Sequence, residues 1–404
     1  MIRIKGKHYY SELIIAYLLF FPSFNYYIQT ILGSFGYNGK IVPGILYGIG
    51  AILGIISYIR MSNRAIGLSL TVIFIFGTIL FQINHPEDYS LIHTSYTDIA
   101  YSPDILLFLF ALPLVFWNLK RIDYSLFLRI CHFLSRSCLI LFLLAYATYL
   151  KNPVGLTLEY MTFSYNALPA ICFCISIPSF GKGRVFDIII SVISIAAVFI
   201  SGSRGCSVCI LTFIFLYAFF IKKISRSILI FIVIAFFCVL FIDFNGLLIN
   251  LSGNLESSGI HSRTISRILD ESFATSVDRD YLKEQVASAI NDSPIVGHGL
   301  WGDRAIIHGF VHNIAYEMVC SFGYFIGGSI LIWLFCKTFL CLLSSIPLTH
   351  KILLCATIPY GLIQLFFSGS FLNDPWFFFL IAQLISNSTS HKMNKYETSR
   401  IITQ

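Results

Sequence analysis

Long, uninterrupted apolar runs dominate the chain. Residues 188–200 and 228–242, for example, are almost wholly apolar. A helix needs about 20 mainly apolar residues to cross a bilayer, whereas transmembrane β-strands show roughly ten residues of alternating polarity. Because these runs do not alternate, the pattern predicts an all-α fold, that of a polytopic helical membrane protein.

About twelve runs have the length of a membrane span. They lie near residues 11–32, 41–59, 65–83, 102–118, 133–150, 162–180, 185–201, 206–221, 227–243, 313–335, 352–369 and 374–388. The mixture of charged and apolar positions at 120–136 is also typical of an interfacial helix. The spans predict three parts: an N-terminal bundle over 1–243, a large loop over 244–312, and C-terminal helices with a short tail over 313–404.

Composition and charge agree with a membrane location. Only 12% of the residues are charged and 57% are hydrophobic, whereas soluble domains carry roughly 25% charge. Most lysines and arginines fall in one alternate set of loops, which places both termini in the cytoplasm and the large loop outside it. This bias accounts for the net charge of +7 without a nucleic-acid partner. The first apolar run lacks a small-residue cleavage site, so we predict that it is a retained span. The 11 cysteines lie mainly in apolar runs, as small buried hydrophobes do.

The large loop contains a helical pattern of its own. A segment of 244–312 is too long for a simple connection in a compact fold. Leu282, Val286 and Ile290 recur at helical spacing and predict one amphipathic helix. Pro294 ends this pattern, because the residue before a proline avoids the α region.

Two arginines lie where an anion is favoured. The turn 201–205, with sequence SGSRG, joins two spans on the side away from the basic loops, and Arg204 lies in it. A snorkelling arginine and an anion-binding arginine both fit this position. Arg279 lies near the start of the predicted loop helix, where free backbone N–H groups attract negative charge.

His312 and Glu317 lie where the large loop returns to the membrane. They fit an interfacial histidine and a carboxylate at a helix N-terminus, and equally a proton acceptor with a neighbouring acid. A metal site at His298, His308 and His312 is not predicted, because Gly309 disfavours the helix that would align the last two. We therefore expect neither a metal nor a cofactor.

Four short motifs resemble the O-antigen ligase and polymerase superfamily. They are SGSRG at 201–205, SPIVGHG at 293–299, HNIAYE at 312–317 and GYFIGG at 323–328. Their order and spacing are similar to the family's, in which a large periplasmic loop comes late in a multi-span chain. Asp278 departs from the pattern, since the family's loop arginine usually follows a glycine.

The resemblance implies a glycosyltransferase that uses an undecaprenyl-pyrophosphate-linked glycan. Arg204 and Arg279 would bind the pyrophosphate, His312 would activate the acceptor hydroxyl, and Glu317 would orient His312 or hold that hydroxyl. It further implies the bacterial inner membrane, membrane lipids as surroundings, and a chain-length regulator and a flippase as partners. An O-antigen polymerase is favoured, and a ligase that transfers glycan to lipid A–core is the alternative.

A transporter is a third interpretation of a polytopic chain. Transporters are commonly built from repeats with charged residues near mid-membrane. No repeat is visible here, and Asp187, Asp243 and Glu317 fall near predicted span ends. The pattern therefore disfavours this reading.

Overall fold

The fold is helical throughout the part that can be described. The computed structural model describes residues 9–37, 41–60, 63–88, 102–151, 160–177, 182–201, 203–221 and 277–387. Within these ranges every regular element is a helix, and 6 helices are long and apolar enough to cross a membrane. The predicted polytopic helical membrane protein is therefore confirmed. The predicted span at 227–243 lies outside the described residues.

Thirteen helices follow one another in the described ranges. Their bounds are α1 Tyr9–Ser34, α2 Ile41–Ile59, α3 Arg64–Asn84, α4 Pro103–Phe116, α5 Tyr124–Lys151, α6 Tyr160–Ser176, α7 Lys182–Ser201, α8 Arg204–Leu216, α9 Val277–Asp292, α10 Gly302–Ile307, α11 Ile314–Leu343, α12 Leu348–Ile358 and α13 Pro375–Asn387. A π-turn, Tyr217–Ile221, extends α8, and the turns Pro359–Ile363 and Gln364–Phe366 extend α12.

The bundle has an interior and a rim. Helix α1 packs against α5 and α6, and 56% of its most apolar 18-residue stretch is buried. The corresponding share is 22% for α2 and for α3, which expose large side chains such as Ile52 and Val72. Exposed apolar surface of this extent on a long helix is what lipid tails cover. Helices α2 and α3 therefore form part of the lipid-facing rim.

Three predicted spans differ in detail from the helices. The sequence predicts an interfacial helix at 120–136 and a span at 133–150, whereas in the structure one helix, α5, covers most of these residues. Helix α4 is irregular, since a π-turn and a 3-10 turn follow its first four residues. The span predicted at 352–369 ends at Phe366, where the chain enters a connection, 367–374, that leads to α13.

The described end of the large loop folds back onto the bundle. Helix α9 buries Val286 and Ile290 against Val311 and Cys320, so the apolar face predicted for the loop helix is the face that packs. The short helix α10 follows, and α11 then enters the bundle. Gly323, with φ 73° and ψ 173°, interrupts α11. This interruption shapes the candidate site.

Candidate active site

The segment 294–299 fits into the interruption of α11. The backbone N–H groups of His298 and Gly299 donate to the carbonyls of Cys320 and Ser321, at 2.7 and 3.2 Å, and the N–H of Tyr324 donates to Pro294 O at 2.8 Å. Carbonyl groups that the interruption would leave unpaired thereby gain partners. The SPIVGHG motif thus attaches the large loop to a membrane helix.

Two glycines make this close approach possible. A Cβ on Gly297 would lie 2.6 Å from the nitrogen of Gly323, and a Cβ on Gly323 would collide with the carbonyl of Ile295. Both residues also have positive φ, of 76° and 73°, which side chains disfavour. The glycines of the two motifs are therefore required by one contact.

His312 lies in a turn whose backbone is held on both sides. The N–H of Val311 donates to Asp303 Oδ2 at 3.3 Å. Asn313 caps α11, its Oδ1 accepting from Ala315 N at 3.0 Å, and its Nδ2 donates to Phe366 O at 3.3 Å. His312 itself has φ 55°, an uncommon value for a residue with a side chain. A residue keeps such a φ where the contacts around it outweigh the cost of the conformation.

A buried charged cluster lies beneath the His312 turn. Arg304 Nη1 contacts Asp303 Oδ1 at 3.0 Å and Glu317 Oε1 at 3.5 Å, and its Nη2 donates to Ser370 Oγ at 2.9 Å. Ser370 Oγ donates in turn to Glu317 Oε1, and Phe371 N donates to Oε2 at 3.2 Å. Both oxygens of Glu317 therefore bond within the protein, and its side chain is 1% exposed.

Trp301 completes the cluster and links it to α3. The Arg304 guanidinium carbon lies 4.7 Å from the centre of the Trp301 ring, at cation–π distance. The indole N–H of Trp301 donates to Thr78 Oγ1 at 3.2 Å. Burial raises the pKa of Asp303 above its usual value, and the Arg304 guanidinium opposes this shift.

Arg204 begins α8, beside the connection that holds Asn313. A Cβ on the next residue, Gly205, would lie 2.8 Å from Phe367 Cβ, so α8 starts in close contact with this connection. Ser203 is the N-cap residue, yet its hydroxyl makes no capping bond and has no hydrogen-bond partner among the described residues, although it is 2% exposed. The side chain of Arg204 lies outside the described part of the structure.

The structure brings some of the predicted residues together. The start of α8 and the His312 turn meet the adjacent residues Phe366 and Phe367. Arg279 lies in the first turn of α9, and its side chain is outside the described part. Glu317 lies near His312 in the chain, but its carboxylate bonds Arg304, Ser370 and Phe371.

Asp303 and Ser370 belong to the site, although no motif in the sequence indicated them. The adjacent charges of Asp303 and Arg304, just before an HNIAYE motif, were an available signal for the first of them. A lone serine in an apolar region carries no comparable signal.

One set of potential metal ligands occurs among the described residues, at the other end of the bundle. It consists of His132, Cys174 and Asp187. Asp187 already accepts from Arg136 with both oxygens and contacts His132 Nε2 at 3.0 Å. A guanidinium paired in this way competes with a cation, so these residues do not favour a metal. Among the histidines of the large loop, His298 bonds Ala289 O through Nε2 at 2.6 Å.

A family model matches about a third of the chain. Residues 189–325 match the model of a family described as O-Antigen ligase. No curated protein and no solved structure matches the chain. The matched region includes Arg204, Arg279, His312 and Glu317, whereas Ser370 lies beyond it. This match supports the resemblance of the chain to the O-antigen ligase and polymerase superfamily.

Proposed function

We propose that the chain is an O-antigen polymerase, a membrane glycosyltransferase that joins undecaprenyl-pyrophosphate-linked repeat units at the periplasmic face. One observation carries the proposal. The helix start at Arg204 and the His312 turn contact neighbouring residues, Phe366 and Phe367, although more than a hundred positions separate them in the chain. Arg204, which suits an anion, and His312, which suits proton transfer, are therefore both placed beside the same short stretch of chain.

The start of α8 is the proposed pyrophosphate site. The first N–H groups of a helix have no partner within it and carry partial positive charge. The unbonded, buried hydroxyl of Ser203 adds a further donor at this position. The Arg204 guanidinium would supply bidentate contacts to phosphate oxygens, and Arg279 is proposed as the second arginine.

His312 is the proposed general base. The acceptor hydroxyl oxygen attacks the anomeric carbon of the donor sugar and gives its proton to the imidazole, while the bond to the pyrophosphate breaks. The leaving pyrophosphate keeps the electron pair, and the arginines stabilise the added negative charge. Arginine contacts of this kind can take the role of a divalent metal, so the mechanism remains metal-independent.

Glu317 is proposed as a positioning residue. The two predicted roles, orienting His312 directly and holding the acceptor hydroxyl, require contact with those groups, but the Glu317 side chain is 1% exposed. Its two oxygens instead accept from Ser370, Arg304 and Phe371. Glu317 therefore acts on His312 through the cluster that joins Asp303 to Val311 N.

An O-antigen ligase is the second candidate. The description of the matching family favours it, since that family is named for the ligase. The two enzymes share the lipid-linked donor and differ in the acceptor, which is lipid A–core for the ligase. The proposed setting is the same for both: the bacterial inner membrane with both termini in the cytoplasm, lipid-linked glycan as substrate, and a flippase and a chain-length regulator as partners.

Deletion of the gene, followed by gel analysis of the lipopolysaccharide, separates the candidates. Loss of a polymerase leaves core that carries single repeat units. Loss of a ligase leaves bare core while lipid-linked polymer accumulates. An unchanged ladder would contradict both functions.

A further inference from the structure

A groove runs along α7, at the end of the bundle opposite the candidate active site. Its volume is about 340 Å³, and its walls come from the end of α6, from α7 and from the turn after α8. Ile188, Val192 and Ile195 of α7 line one side, and Ile175 of α6 lies on another. A groove with these walls, open toward the rim of a membrane bundle, suits a hydrocarbon chain.

One end of the groove is basic. Arg184, in the first turn of α7, lines this end and is exposed. Asp187 also lines the groove, but both of its oxygens accept from Arg136 and one contacts His132. This carboxylate is therefore already compensated. Arg184 is therefore the cationic group of the groove that can pair with an anionic ligand.

The spacing of the basic and apolar parts matches a lipid. Arg184 and Ile195 are separated by eleven positions on one helix, or about 16 Å along its axis. The charged group thus lies at one end of an extended apolar surface rather than in its middle. Ser201, at the other end of α7, adjoins the start of α8, so Arg184 lies about 25 Å along the helix from the proposed pyrophosphate site.

We propose that this groove binds a phospholipid with an anionic head group. Arg184 pairs with the head-group phosphate, and one acyl chain lies along Ile188, Val192 and Ile195. A lipid with net negative charge is preferred to a zwitterionic lipid, because a choline group would bring a like charge near Arg184. The site is separate from the proposed glycosyl transfer and does not depend on it.

Delipidated full-length protein in detergent provides the test. Binding of phosphatidylglycerol and of phosphatidylcholine would be measured by native mass spectrometry and by the rise in melting temperature. We expect phosphatidylglycerol to bind more tightly. Arg184→Gln should weaken its binding by about tenfold, since it removes a charge-assisted contact. Val192→Trp should weaken it as well, by filling the apolar part of the groove.

Matched controls come from α3. Arg64→Gln removes an exposed arginine from the first turn of another apolar helix, and Val72→Trp enlarges an exposed valine on the same helix. Both should leave phosphatidylglycerol binding unchanged. Full binding by Arg184→Gln, equal binding of the two lipids, or an equal rise in melting temperature with soluble glycerol phosphate would each overturn the proposal. Any of these results would leave the proposed glycosyltransferase function untouched.

Discussion

Two arginine–carboxylate clusters lie at opposite ends of the bundle and are built differently. At the His312 end, Arg304 serves two carboxylates, Asp303 and Glu317. At the Asp187 end, one carboxylate accepts from Arg136 and contacts His132. The first cluster thus has two carboxylates for one arginine, whereas the second has one carboxylate for one arginine and a histidine.

Burial separates the two clusters further. The Arg304 side chain is 5% exposed, whereas that of Arg136 is 31% exposed. Water can compensate a partly exposed arginine that loses its partner, but it cannot reach a buried carboxylate in the same way. At the His312 end the arginine is therefore buried together with its carboxylates, whereas at the Asp187 end the carboxylate is buried and its arginine is not.

The two clusters also differ in the backbone that carries them. Asp187 and its partners project from the continuous helices α5 and α7. At the His312 end, Trp301, His308 and His312 have positive φ, and α11 is interrupted at Gly323. The carboxylates there accept from the N–H groups of Val311 and Phe371. The charged groups at this end fix the path of loops, whereas those at the Asp187 end join two helices that already have their shape.

The largest expected effect is that of replacing His312, with His132 of the other cluster as the comparison. His312→Ala should lower the turnover of purified enzyme by about 10² to 10⁴, the usual contribution of a general base. Binding of the lipid-linked donor should persist, because the arginines hold the pyrophosphate. Turnover and donor binding would be measured separately, with His132→Ala as the control that retains turnover.

Two outcomes would change the assignment of His312. Near-normal turnover of His312→Ala would remove this residue from the mechanism. Lost donor binding with slow but measurable chemistry would make it a phosphate ligand instead of a base.

Removal of Arg304 and, separately, of Arg136 tests how the two clusters differ in stability. Arg304→Gln leaves two buried carboxylates without a cation and should destabilise the protein by about 3–5 kcal/mol. Arg136→Gln should cost less, because it leaves one buried carboxylate, Asp187, instead of two, and His132 still contacts it. Thermal unfolding in detergent measures both. Equal losses would show that the number of carboxylates left without a cation has no energetic consequence.

The parts of the fold that depend on local pattern were predictable, and the parts that depend on distant partners were not. Apolar runs predict spans because a membrane imposes the same requirement on each one. The charged residues at 120–136 favoured an interfacial helix, because the partner of one of them, Asp187, lies 51 positions from Arg136 in the chain. Ser370 is 53 positions from Glu317 and has no motif of its own.

The candidate site was predictable to a similar extent. Arg204 and His312 were selected by motif and by their place at the ends of apolar runs, and the structure adds the support that they share at Phe366 and Phe367. The interruption of α11 was not predicted, because GYFIGG continues an apolar run without a break. Only the packing of segment 294–299 against Gly323 explains it.

Two glycines of α11 test the role of the interruption. Gly323→Ala places a Cβ against the carbonyl of Ile295 at a residue with φ 73°, and should cost about 1–3 kcal/mol. Gly328→Ala is the matched control, since its Cβ would meet open space. Unfolding of both variants would be compared. A stable Gly323→Ala variant would mean that the loop is not held by this contact.

The smallest expected effect is at Ser370, which lies beyond the region that matches the family. Its hydroxyl accepts from Arg304 Nη2 and from Leu372 N and donates to Glu317, so Ser370→Ala removes three bonds but leaves the cation and both carboxylates in place. We expect a loss of about 1 kcal/mol in stability, as for a typical hydrogen bond. Turnover should fall modestly at unchanged donor affinity, since the His312 turn is less firmly held. Ser368→Ala, in the same connection, is the control for local packing. If both variants lower turnover alike, the effect belongs to the connection as a whole, and Ser370 has no special part in positioning His312.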